Sequence, residues 1–285
     1  MVAQVRLHGV RPALFAGTWY PGTPDSLRQA VDRYLAQARV DPLPGDLVAL
    51  AAPHAGYIYS GPVAGYAYRA LQEANASFDT VVLIGPSHRY YLDGYGITAV
   101  EAYETPLGQV PLDADLVMSL GRELGMVMFL SRDEEHSLEI QLPFLQRALG
   151  DFRLVPIMMG DQSWEACQEL GQALGRVLKG RSALLVASTD LSHYHDYGRA
   201  VALDRLVLER VEAFDPQGLV HLLQRGKAEA CGGGPLAATM LAAQALGADQ
   251  ARVLHYANSG DITGDRAQVV GYMAAAFSRS KKGAG

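Results

Sequence analysis

The chain has 285 residues, 49% of them hydrophobic, and a formal net charge of −6. That is apolar material for one large α/β domain, and too acidic a balance for general affinity toward nucleic acid or anionic lipid, which need clustered Lys and Arg. Cys167 and Cys231 are the only cysteines, too few for a disulfide framework, so a reducing, cytoplasmic setting is expected.

In chain order, "PGTPDSLRQAVDRYLAQARV" opens with Thr23 as a helix N-cap and Pro24 at the first helical position, with Leu27, Val31 and Leu35 on one face. Short apolar runs then alternate with helical patterns: "DLVALAAP", "GPVAGYAYRALQEA", "DTVVLIGPS", "DADLVMSLGREL", "SLEIQLPFLQRAL", "FRLVPIMMG", "SWEACQELGQALGRVLKG" and "SALLVASTDLS". Continuous Val, Leu, Ile and Ala runs are the mark of strands covered on both faces, so a mostly parallel or mixed central sheet flanked by helices is expected. From about residue 198 to 246 the pattern is helical, followed by two strands, "ARVLHYANSG" and "AQVVGYMAAAF", expected to pair antiparallel at or near an edge. No linker, repeat or low-complexity block interrupts residues 1–285, which reads as a single domain with frayed ends at 1–10 and 278–285. No leader pattern or bilayer-length apolar run is seen, so neither export nor membrane insertion is expected.

Three segments carry a histidine just past the end of a buried strand: "VALAAPHAGY" with His54, "VVLIGPSHRYY" with His88, and "LLVASTDLSHYHDYG" with His193 and His195. Ligands of open α/β sheets bind in the crevice beyond such strand ends, so these imidazoles are expected to face one pocket. Asp190, three residues before His193, is either a tautomer-fixing partner for an imidazole or a turn cap. Of the two nearby histidines, His193 is the one expected to face the crevice.

"AEACGGGPLAATMLAAQAL" places Cys231 before three glycines and a helix expected to start near Pro235. The positive helix end would lower the thiol pKa and favour a metal-binding thiolate; the plainer reading is a buried cysteine beside a turn. Cys167 shares a helical face with Trp164, Leu170 and Leu174 and reads as core. "RDEEHSLEIQLPFL" reads first as an acidic helix start, with Glu135 or His136 as the less expected pocket rim. Trp19, Tyr57 and Tyr59 are either aromatic pocket walls or packing, and His8, His221 and His255 read as structural. Two imidazoles with one anionic ligand form a common transition-metal site, and a thiolate favours zinc, copper or iron over magnesium.

Together and in this order, "GTWYPG", "APHAGYIYSG", "GPSHRYY", "EEHSLEIQLPFL", "STDLSHYHDYG" and "EACGGGP" resemble the Memo family. That family is named in animals for receptor-driven cell motility, and its bacterial and archaeal members are labelled AmmeMemoRadiSam system protein B. The resemblance runs from about Arg11 to Phe277. It implies a fold similar to class III (LigB-type) extradiol dioxygenases, with a nonhaem metal held by His54, His88 and Cys231. It further implies His193 as a base-like residue, Asp190 as its pocket neighbour, and Trp19 and Tyr59 as aromatic pocket positions, to which His136 is added as a substrate contact. Fe(II) is the metal expected first, with copper or zinc as alternatives. Cys231 stands where the dioxygenases use a carboxylate, so ring cleavage does not carry over with the fold. The resemblance also implies a pathway link to AMMECR-type and radical SAM proteins, and a small molecule or peptide as ligand. Three functions follow: a metal-dependent oxidoreductase, a ligand-binding module without turnover, and, third, a zinc hydrolase.

Overall fold

The computed structural model describes residues 6–125 and 127–281. In chain order β1 (Val10–Arg11), α1 (Pro24–Gln37), β2 (Gly45–Ala52), α2 (Tyr57–Glu73) and β3 (Thr80–Pro86) come first. β4 (Tyr95–Thr98), β5 (Ala102–Thr105), β6 (Gly108–Pro111), α3 (Ala114–Leu124) and β7 (Met128–Leu130) follow. Next are α4 (His136–Glu139), α5 (Leu142–Ala148), β8 (Arg153–Met159), α6 (Trp164–Val177) and β9 (Ala183–Ser188). The last part holds β10 (His193–His195), α7 (Tyr197–Glu212), α8 (Pro216–Gln224), α9 (Gly233–Ala245), β11 (Gln250–Asn258), α10 (Ser259–Thr263) and β12 (Val269–Ser280).

Nine of these strands form one mixed sheet in the order β10-β12-β2-β9-β3-β8-β4-β7, with β11 also paired to β12. Its centre, β2, β9, β3 and β8, is parallel, and β12 runs antiparallel to β2, β11 and β10. All of β3 and residues 47–52 of β2 are buried, because helices cover both faces. α2 packs on β2, β11 and β12 with α1 and α5 beside it, while α9 packs on β2, β9 and β3 beneath α6. Thr23 caps α1, its Oγ1 accepting the Ser26 N–H at 3.4 Å, and Cys167 is fully buried in α6, both as the sequence indicates.

Two expectations change. The two late strands do pair antiparallel, but β12 lies inside the sheet, between β2 and β11, and only β11 is outermost there. Residues 278–280 are not frayed: Ser278 pairs with Leu47 and Ser280 with Gly45, so the strand continues through a stretch whose charged letters masked it. Residues 1–5 and 282–285 of the expected frayed ends lie outside the described residues. A separate three-stranded sheet, β1-β5-β6, was not foreseen, since its strands are two to four residues long.

Candidate metal centre

The parallel strands β2, β9, β3 and β8 are neighbours, so their carboxyl ends open on one edge of the sheet. His54 follows β2, Ser188 ends β9 with Asp190 just beyond, His88 follows β3, and Gln162 follows β8. Cys231 comes from the loop before α9, which packs beneath the same strands. The candidate residues therefore gather where the crevice rule points. Among the described residues, one ligand atom each from His54, His88 and Cys231 lies within 4.8 Å of the other two.

The proton positions on the two imidazoles follow from their partners. Ser188 Oγ donates to the Ser137 carbonyl at 2.6 Å and accepts from Gln141 Nε2 at 2.7 Å. Gln141 is oriented by Tyr68, whose hydroxyl donates to its Oε1 at 2.7 Å, and its Nε2 also donates to the Pro53 carbonyl. Ser188 has no second proton to give, so the 2.9 Å contact with His54 Nδ1 requires that His54 carry its proton on Nδ1. Nε2 is then an open lone pair, 3.2 Å from Cys231 Sγ. His88 is arranged alike: its Nδ1 lies 2.9 Å from Glu135 Oε1, and the His88 and Ser137 N–H groups also donate to Glu135. Burial works against ionisation of Glu135, but the His88 hydrogen bond and charge and the Ser137 N–H outweigh it and hold the carboxyl at about 2. An ionised Glu135 accepts the hydrogen bond of the Nδ1–H and leaves His88 Nε2 free, the carboxylate–histidine arrangement of metal sites.

Glu135 itself is fixed by a buried ionic cluster. Arg11 donates through Nε to Asp133 at 2.8 Å, through a terminal nitrogen to Glu139 at 2.5 Å, and through the other to the Glu135 carbonyl at 2.8 Å. Glu139 also accepts from the Phe15 N–H and the Tyr20 hydroxyl, and Asp133 from the Thr98 hydroxyl. The "RDEEHSLE" stretch does open a short helix, but while Glu134 is exposed beside Arg132, Asp133, Glu135 and Glu139 point inward to fixed partners. This is why burial leaves them satisfied rather than destabilising.

Cys231 departs from the sequence reading. α9 begins at Gly233, close enough for its N-terminus to act on the thiol, yet burial and then the Asp190 carboxylate push the Cys231 pKa upward. Desolvation outweighs the helix end, and the protein alone keeps a neutral thiol. The three glycines serve close packing: a Cβ on Gly232 would stand 2.3 Å from the Ser188 carbonyl oxygen, and one on Gly234 2.7 Å from Gln162 Cβ. Gln162 grips the loop from both amide ends, donating to the Cys231 carbonyl at 2.9 Å and accepting the Gly234 N–H at 2.7 Å.

Asp190 is buried beside the trio. Its Oδ1 accepts the His54 N–H at 2.7 Å and its own N–H donates to Cys231 Sγ at 3.3 Å; burial raises its carboxyl to about 6 against the pull of the His54 and Ala55 N–H groups and of His193. His193 and Cys231 line one cavity of about 320 Å³. His195 instead turns to Glu229, with its Nε2 2.9 Å from Oε1. His136 stacks on His88, ring centroids 4.6 Å apart, and Trp19 lies 4.4 Å from the His136 ring. Burial, then neighbouring imidazoles, lower both His54 and His136 to about 3. Trp19 and Tyr59 line a second cavity of about 680 Å³. Tyr57 is core, its hydroxyl donating to the Ile140 carbonyl at 2.8 Å.

The sequence profile described as "Memo-like protein" matches residues 11–276. A "MEMO1 family protein" of Methanopyrus kandleri is 38% identical over 284 residues, covering 94% of this chain and 99% of its own length. One of Thermotoga neapolitana is 37% identical, with 94% and 100% covered. The chain belongs to the Memo-like family. An uncharacterized protein of Escherichia coli K12, known from its crystal structure, shares the fold at a TM-score of 0.54 and 16% identity, with 80% of this chain and 99% of that chain covered.

In this Memo-like protein the donor set fits a transition metal. Bonds near 2.0–2.1 Å to nitrogen and 2.3 Å to sulfur set tetrahedral neighbours roughly 3.3–3.7 Å apart, which the 3.2 Å His54–Cys231 separation nearly meets. Imidazole nitrogens and a soft sulfur make a donor set of the kind that holds a transition ion. A second grouping, His88, Glu135 and His136, fits less well, because Glu135 is already taken up by N–H donors. Ser188, Gln141, Gln162 and Arg11 escaped the sequence reading; the one available signal was a polar residue, Ser188, ending an otherwise apolar strand.

Proposed function

We propose that this Memo-like protein is a metal-dependent oxidoreductase of the extradiol-dioxygenase type, acting on a small molecule, with His54, His88 and Cys231 as ligands and iron as the preferred metal. The observation that carries the reading is the pair of imidazoles whose Nδ1 atoms face Ser188 and Glu135, with His54 Nε2 3.2 Å from Cys231 Sγ and one ligand atom each of His54, His88 and Cys231 within 4.8 Å of the others. A bound iron would supply a redox-active Lewis acid with open positions. The chain's own part is separate. Asp190 anchors the His54 backbone and the Cys231 loop. His193, in the cavity beside Cys231, holds or passes a substrate proton. Trp19, Tyr59 and His136 provide the aromatic surface on which substrate rests. Purification without oxygen, loading with Fe(II) and oxygen uptake over a catechol panel test it; a metal-loaded protein silent across a broad panel fails it. A second reading, ligand binding without turnover, is favoured by the thiol, since an oxidisable ligand is a poor companion for oxygen. Ligand affinity that survives chelation would support that version.

A further inference from the structure

The 680 Å³ cavity beside the centre has a composition that says what it takes. Its wall holds four aromatic side chains, Trp19, Tyr59, Tyr194 and Tyr272, together with Ile58. Among its described lining residues Asp265 is the single charged side chain, and no Lys, Arg or His is present. The volume suits a small molecule. Two of its lining residues adjoin the candidate centre: Ala55 is next to His54 in the chain, and Trp19 packs on His136.

One of these rings is held out at a cost. Tyr194 has a φ of 61°, in the left-handed region that residues with a Cβ seldom occupy, and is 69% exposed. Ile58 is 68% exposed. Large apolar side chains presented at a cavity mouth, one on a strained backbone, mark a surface kept for a ligand. An anion would meet the negative faces of the rings and the Asp265 carboxylate with no counter-charge. A cation meets both favourably, since an ammonium group over Trp or Tyr faces is attracted by the ring quadrupole.

We infer that this cavity is an aromatic cage for a small organic cation, a quaternary or protonated ammonium group, which Asp265 attracts and the rings enclose. It deepens the reading of the neighbouring centre by naming the charge class of its substrate.

The test uses chelator-treated protein carrying Trp164→Phe, leaving Trp19 as the fluorescent indole, with calorimetry as a second readout. Choline is titrated against its neutral isostere 3,3-dimethyl-1-butanol and against phenyl phosphate. Choline should bind saturably, about tenfold tighter than the isostere, with phenyl phosphate weakest. Tyr194→Leu, which keeps the apolar bulk and removes the ring, and Asp265→Asn should each weaken choline about three- to tenfold. Equal binding of choline and isostere, or tighter binding of phenyl phosphate, overturns the inference. The metal is absent from this titration, so a protein that binds choline but retains no iron fails only the oxidoreductase reading. One that holds iron but shows no preference for the cation fails only the cage.

Discussion

Removing the Ser188 hydroxyl tests the proton arrangement at His54. Ser188→Ala takes away the acceptor for His54 Nδ1 and one of the acceptors of the Gln141 amide, both buried. Metal affinity should fall about 10- to 100-fold, read by competition with a chromogenic chelator, while the sheet remains folded by circular dichroism. A loss no larger than that of a distant surface serine would show that the tautomer is not held there. Cys167 offers a contrast, because burial pushes its thiol to about 12. In the Cys231→Ala variant, which leaves Cys167 as the single thiol, a disulfide reagent at pH 8 should react only after denaturant is added; rapid reaction of the folded protein would contradict the burial. At this scale the candidate ligands were legible in the sequence and their supports were not. His54 and His88 stand at recognisable strand ends, whereas the partners that orient them come from 134 and 47 residues away, and no local spacing encodes such a pairing.

At the level of elements, the loop from Cys231 into α9 and the cluster around α4 do the positioning. Gly232→Ala forces a methyl against the Ser188 carbonyl, so the Cys231 loop must shift away from His54. The variant should retain its fold and lose metal affinity by about tenfold or more, on the scale of a displaced support; unchanged affinity would mean that the loop adapts freely. Arg11→Ala strands Asp133 and Glu139, whose side chains are almost wholly buried. A loss of about 3–5 kcal/mol is expected in urea unfolding, and a loss near zero would mean that water reaches the cluster. Elements with long apolar runs were legible, β2, β3, β8 and β9 above all. β1, β5, β6 and β10 were not, because two to four residues give no period to detect.

For the whole molecule, the candidate ligands arrive from beyond β2, beyond β3 and the start of α9, with His54 and Cys231 separated by 177 residues. Such a site exists only in the folded chain, so a bound metal stabilises by mass action. At a hundredfold excess over Kd the gain is about 2.7 kcal/mol, or a Tm rise of about 4–5 °C for a chain of this size. The rise should vanish with chelator and in Cys231→Ala; a rise that persists in that variant would locate the metal elsewhere. The α/β class was readable because strands buried on both faces need no alternation, while the interior place of β12 was not, since sequence order says nothing of spatial neighbours.

That place has a consequence for synthesis. β2 is translated early and its partner on one side, β12, late, so nearly the whole polypeptide emerges before the edge carrying "LVALAA" is capped. Until then the nascent protein displays an uncovered apolar strand, the kind of surface that recruits chaperones or pairs with a sibling chain on the same message.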